Sequence, residues 1–175
     1  MSTVLKRGFL FVQVDVVGVV VRFGEHTTSE LRRLVQEGAD PEQVRNEIAD
    51  AAMGSRDALI ELTFQRDVTL KKFLDEARRN TERVWKAGLV ERTVYDRIRK
   101  LLPFWFASLK DRGVREDDRM CYRILGDELH TTYTGADGTV YVDQTNVGDG
   151  TCKAVLGVYF LKDSDFRQGL IDSLF

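Results

Sequence analysis

Seven of the eleven residues at positions 12–22, VQVDVVGVVVR, are valine. β-branching restricts χ1 and suits an extended, pleated chain far better than a helix. With GFLF before it, the run predicts one extended stretch over residues 8–22, spanning roughly 40–50 Å at ~3.3 Å per residue. A strand that long belongs at the centre of a sheet, and the rest of the chain has to be arranged around it. Side chains alternate across a strand. One predicted face carries Leu10, Val12, Val14, Val16, Gly18 and Val20 and reads as core. The other carries Arg7, Phe9, Phe11, Gln13, Asp15, Val17, Val19 and Val21. It is apolar with Arg7, Gln13 and Asp15 set into it, as expected of the floor of a cleft that orients a ligand. The alternative is a strand whose polar residues simply reach the sheet rim.

At 175 residues the chain is expected to be a single domain, residues 1–175, with a sizeable core. Its net charge of −2 gives no basic footprint, so nucleic acid is not expected as a partner. Two prolines and no low-complexity run argue against disorder or a flexible linker. The valine run is too short for a membrane span and contains Gln13 and Asp15. No small-residue cleavage site follows it, so a cytoplasmic protein is expected. Cys121 and Cys152 show no metal spacing and read as reduced and buried. His26 and His130 are too isolated for a metal cluster, and His130 reads as an exposed residue. No metal and no cofactor is expected.

Further along, Thr27 or Thr28 is expected to cap a helix that runs to Gly38. Asp40-Pro41-Glu42 opens a second, ending at Gly54, with Val44, Ile48 and Ala51 or Ala52 inward. Residues 57–66 alternate apolar and polar and predict a second long strand. Leu70, Phe73, Leu74, Ala77, Val84 and Trp85 fall at helical spacing over 69–88, and another helix follows over 91–102. Phe104-Trp105-Phe106 is expected to dock on the helical layer. Strands over 118–125, 128–133 and 139–143 form a meander with turns at Gly126-Asp127 and residues 135–138. Helices over 148–161 and 164–175 finish the chain. Strands joined by helical excursions, then a meander, predict an α+β fold: a mixed or antiparallel sheet with helices on one face.

Three stretches resemble one known family. FVQVDVVGVVV (11–21) is similar to the central strand of chalcone isomerase-like proteins, with Gly18 at a characteristic glycine. LTFQRDVTLKKFLDEARRNTERVWKAGL (62–89) resembles their second long strand and following helix. KAVLGVYFLKDSDF (153–166) resembles their late helix. The family contains plant chalcone isomerases, plant fatty-acid-binding relatives and bacterial and fungal chalcone isomerase-like proteins. The resemblance implies an open-faced β-sandwich: a large, mostly antiparallel sheet covered on one face by a layer of helices, with a ligand cleft between them. It implies that Arg7, eleven residues before Gly18, recognises an anionic group, for which a planar guanidinium fork is suited. Read by itself, Arg7 is equally a solvated strand-end residue. The strand that usually precedes this arginine is not evident in residues 1–6.

The chain also departs from that family. Asp15 stands where the plant enzymes have a catalytic threonine, and Phe73 where they have a tyrosine that polarises the substrate carbonyl. Phe64 replaces a lysine and Val158 a substrate-contacting threonine, while Asn80 is kept. Cyclising a chalcone requires donors for the developing enolate, and losing one costs about 2–4 kcal/mol. The leading expectation is therefore a non-catalytic protein that binds a fatty acid or similar apolar small molecule. Its expected ligand residues are Arg7, Phe11, Gln13, Asp15, Phe64, Arg66, Phe73, Asn80 and Val158, with Val17 in the lining and Arg7 or Arg66 anchoring the anion. An aromatic stripe at these spacings also suits plain core. A second expectation is an intramolecular lyase using Arg7, Asp15 and Asn80 on an enone. A third is a structural protein whose cleft is filled by an Asp15–Arg66 salt bridge. Some fungal relatives bind haem, but no convincing axial ligand is present. Asp117, Asp118, Asp163 and Asp165 are expected to be solvated or capping carboxylates. Gly148-Asp149-Gly150 lacks the alternating oxygen ligands of a calcium loop.

Overall fold

A computed structural model describes residues 1–9, 12–38 and 40–175, with the side chains of residues 4–9, 12–15 and 149 outside the description. Its frame is a six-stranded sheet whose strands lie side by side in chain order. They are β1 (Ser2–Phe9), β2 (Val12–Phe23), β3 (Asp57–Phe64), β4 (Arg119–Leu125), β5 (Glu128–Thr134) and β6 (Val140–Val147). Every neighbouring pair is antiparallel. The helices are α1 (Glu25–Glu37), α2 (Pro41–Met53), α3 (Leu70–Lys86), α4 (Arg92–Trp105), α5 (Asp149–Phe160) and α6 (Arg167–Asp172). This is the expected α+β arrangement, with the sheet antiparallel throughout.

The predicted stretch over residues 8–22 is not one strand, although the valine run itself, residues 12–22, lies wholly within β2. β1 ends at Phe9 and β2 begins at Val12, and the two pair antiparallel with Arg7 opposite Val14 and Ser2 opposite Val20. Residues 2–6, which carry no clear sequence signal, are thus part of a strand, and Arg7 lies within it. Leu10 and Phe11 lie outside the described residues. Strict alternation also fails. Leu5 pairs with Val17 and Lys6 with Asp15, so Val16 is an extra residue on β2, a β-bulge. Beyond it, Val17, Val19 and Val21 are buried, while Gly18 and Val20, expected in the core, are half-buried on the other face.

The same inner face continues across the sheet through Ala58, Ile60, Leu62 and Phe64 of β3, Met120 and Ile124 of β4, and Leu129 and Tyr133 of β5. Helices cover it with Val84 of α3, Ile98 and Leu102 of α4, and Leu156 and Phe160 of α5. Each such aliphatic or aromatic side chain removed from water contributes about 1.5–3 kcal/mol. Helix α5 approaches α3 closely at Gly157, where a Cβ would stand 3.0 Å from both methyls of Val84. The outer face is partly polar, with Arg123 3.1 Å from Asp57. His130, expected to be free in solvent, sits 2.6 Å from Asp143 there.

Several boundaries moved for local reasons. Helix α1 starts at Glu25 with Gly24 as N-cap, so neither Thr27 nor Thr28 caps it. Thr27 is buried and its hydroxyl donates to Ser55 (3.1 Å). Asp40 does cap α2, accepting from the Glu42 amide at 2.9 Å, with Pro41 at the first position. β3 stops at Phe64, leaving Arg66 beyond the ladder. Helix α4 continues through Pro103 to Trp105, which turns Phe106 into the core and leaves Phe104 in solvent. The final helix is short, Arg167–Asp172.

Candidate functional site

Between the inner sheet face and the helices lies a cavity of about 520 Å³. That is within the range of about 300–1,000 Å³ usual for small-molecule sites. Among the described residues the cleft is open, and the Asp15–Arg66 pair of the third expectation rests on a side chain outside the description. Its floor is Val16 and Val17 of β2, Leu62 and Phe64 of β3, Met120 and Tyr122 of β4, Leu129 and Thr131 of β5 and Gln144 of β6. The bulge at Val16 is what allows two successive β2 residues to reach it. The roof is one stripe of α3 (Phe73, Ala77, Asn80, Thr81), one of α4 (Ile98, Leu102, Trp105) and one of α5 (Thr151, Ala154, Val155, Val158, Tyr159). The spacing of three and four residues on α3 and α5 is what turns each group to one side of its helix.

One wall is aromatic. Phe73 meets Phe106 edge-on with centroids 4.9 Å apart, and Phe64 meets Phe73 edge-on at 6.1 Å. Phe64 and Phe73 can orient no carbonyl, since neither ring carries a hydrogen-bond donor. Thr81 is neutral within the wall because its hydroxyl donates to the Ala77 carbonyl at 2.8 Å.

Six charged side chains also line the cavity: Arg66, Lys72, Asp75, Glu76, Arg79 and Asp165. Asp75 pairs with Lys71 at 2.9 Å and with Arg78 at 3.4 Å, Glu76 pairs with Arg79, and Asp165 lies 3.8 Å from Arg83. The Lys71 hydrogen bond holds the Asp75 carboxyl below its ordinary range. Arg66 and Lys72 are exposed and make no ion pair among the described residues. Arg66, past the end of β3, and Lys72, in the first turn of α3, mark one mouth of the cavity.

Much of the remaining lining is polar but neutral. Tyr122 faces Thr131 across the β4–β5 ladder, and Thr131 faces Gln144 across β5–β6, so the three form one row on the floor. Tyr159 lies above it on α5, and burial, then the neighbouring Tyr122, raise its hydroxyl pKa. Burial also raises that of Tyr122. Both phenols stay protonated and can donate. Thr151 is buried and accepts from Arg97 at 2.8 Å, leaving its own proton to give. The Gln144 Nε2 is buried and has no hydrogen-bond partner among the described residues.

Of the residues expected at the site, Phe64, Arg66, Phe73, Asn80 and Val158 all line this cavity. Arg7, Gln13 and Asp15 are placed by backbone alone, on β1 and β2, and Phe11 lies outside the described residues. Of the alternative catalytic set, only Asn80 has a described side chain. Sequence reasoning missed Tyr122, Thr131, Gln144, Tyr159 and Trp105. It also misread Asp118, which is fully buried and not solvated. Its carboxylate accepts from Arg112 (2.7 and 3.0 Å), the Tyr133 hydroxyl (2.6 Å) and the amides of Arg115 (2.8 Å) and Ala136 (3.1 Å). Asp118 does not line the cavity.

Neither a protein-family model nor a curated protein matches the chain by sequence. Among solved structures it is similar to a fatty-acid-binding protein of Arabidopsis thaliana, at 14% identity and a TM-score of 0.65. The match covers 98% of this chain and 85% of that one. The likeness establishes the architecture: this chain has the open-faced chalcone isomerase fold. Among the described residues, no helix is long and apolar enough to cross a membrane.

Proposed function

We propose that residues 1–175 act as one cytoplasmic domain that binds a fatty acid or similar apolar acid between sheet and helices without transforming it. The observation that carries this reading is the open cavity of about 520 Å³ with largely apolar walls and two exposed cations, Arg66 and Lys72, that make no ion pair among the described residues. An aliphatic chain gains from leaving water for such walls, at about 25 cal/mol per Å² buried. A carboxylate kept at the rim avoids the desolvation cost of a buried charge. The Arabidopsis neighbour, a fatty-acid-binding protein, has the same architecture. Phe73 and Phe64 in the wall favour binding over carbonyl chemistry, and Cys121 and Cys152, which form no disulfide among the described residues, suit a reducing compartment.

In this reading Phe64, Phe73 and Val158 contact the chain and Arg66 steers the carboxylate. Asn80 lies at the roof, and Arg7, Phe11, Gln13 and Asp15 complete the proposed ligand set. Native mass spectrometry of the purified protein should find an apolar acid bound. Adding palmitic acid to delipidated protein should raise its melting temperature by several degrees. No bound apolar molecule and no thermal shift would refute the proposal.

A further inference from the structure

We propose that the end of the cavity remote from Arg66 and Lys72 recognises a neutral oxygen, hydroxyl or oxo, carried near the far end of the ligand's chain. This rests on the reading of the cavity as a binder of amphipathic acids and specifies which of them it prefers. The juxtaposition is that of Tyr122, Thr131 and Gln144 in one row of the floor with Tyr159 above them.

A plain hydrocarbon tail has no use for such a surface. Thr131 and Tyr159 are 3% and 4% exposed, so their polar atoms are withdrawn from bulk water. The Gln144 amide is more demanding still, because its buried nitrogen finds no acceptor among the described residues. A buried donor left without an acceptor costs about 1–3 kcal/mol, so an oxygen delivered there by the ligand recovers part of that cost. The group so received must be neutral. Of the cations that line the cavity, Arg66 lies past the end of β3, Lys72 lies in the first turn of α3 and Arg79 is paired with Glu76, and a carboxylate taken out of water without a cation is heavily penalised. Tyrosine, threonine and glutamine together can donate to an oxygen and also accept from a hydroxyl.

The ladder also fixes the spacing. Tyr122 pairs with Ile60, four residues before Phe64 on β3 and six before Arg66. The polar row therefore lies about 13 Å from Phe64 along the strand, with Arg66 further still. A ligand whose carboxylate meets the two cations at the mouth brings the distal part of a long chain to Gln144. The fitting chemical class is a long-chain acid with a hydroxyl or carbonyl near its terminus.

The test compares palmitic acid with its omega-hydroxy analogue by calorimetric titration of delipidated protein. The wild type should bind the hydroxy acid about fivefold to tenfold more tightly. In Gln144→Leu that preference should vanish, with palmitic acid bound as well as before or better. Tyr122→Phe, which keeps the ring in place, should reduce the preference in the same direction. Equal affinities in the wild type, or an undiminished preference in both variants, would overturn this inference while leaving palmitic acid binding intact. Failure of either acid to bind would remove the cavity reading and this inference with it.

Discussion

Two buried polar groups sit under the same sheet face, two residues apart along β5, and they have opposite fates. At Tyr133 the strand meets Asp118, a charge that five hydrogen bonds satisfy completely. At Thr131 it meets Gln144, a neutral amide whose nitrogen has no partner among the described residues. The first cluster could not be left open. A desolvated carboxylate has to be paired by the fold itself, and Arg112, stacked 4.3 Å over Tyr141, is held in place to do so. The second can be left open, because an unpaired amide costs far less than an unpaired charge. Completeness marks a structural cluster, and an unmet donor on a cavity wall marks capacity for a guest.

The largest effect should come from breaking the closed cluster. Asp118→Ala leaves Arg112 and Tyr133 without their acceptor and should cost about 3–5 kcal/mol in urea unfolding. The pH dependence follows from the same site. Burial raises the Asp118 pKa, but the bonds from Arg112, Tyr133 and the Arg115 and Ala136 amides outweigh it and lower the pKa overall. A folded-state pKa below the unfolded one means that the unfolded chain binds more protons in acid. The stabilisation should be complete above about pH 4 and fade as pH falls through the lower folded value. Asp118→Ala should flatten that acid limb.

Filling the open region comes next. Val158→Phe puts a ring into the space above the floor and should weaken palmitic acid binding by at least about tenfold, roughly 1.4 kcal/mol. Unfolding by urea should change by less than that. Gln144→Leu should then show a stability effect opposite in sign to that of Asp118→Ala. Replacing an unpartnered amide by an apolar side chain of similar size should be neutral or stabilising by up to about 1 kcal/mol. The smallest effect belongs to the mouth. Arg66→Gln with Lys72→Gln should weaken acid binding only about twofold to fivefold, since exposed charges contribute little. The loss should shrink further in high salt.

Much of this contrast lay beyond the sequence, for identifiable reasons. Local chemistry was legible where one residue type does one job. Asp40-Pro41 opens α2, Gly126-Asp127 turns β4 into β5, and the spacing of Phe73, Ala77 and Asn80 gives the roof stripe of α3. Phe64, Phe73, Asn80 and Val158 were legible as lining for the same reason. The end of β1 at Phe9 was not, because GFLF and the valines that follow it read as one continuous strand. The bulge at Val16 carries no signal either. Asp118 was misread because its partners come from a turn, a strand and a hairpin loop up to eighteen residues away. The polar row was closer to hand. Counting outwards from Gly126-Asp127 places Tyr122 opposite Thr131, but ending the last strand at 143 left Gln144 off the sheet.

The central claim is that the space between sheet and helices admits an acyl chain, and Trp105 reports on it. The chain has two tryptophans: Trp105 lines the cavity, while Trp85 lies outside it, stacked on Tyr95 at 4.9 Å. Titration with a brominated palmitic acid, whose bromine quenches an indole on contact, should quench wild-type fluorescence saturably. It should leave the remaining Trp85 emission of Trp105→Phe unchanged. Quenching of equal depth in both proteins, or none in either, would contradict the account.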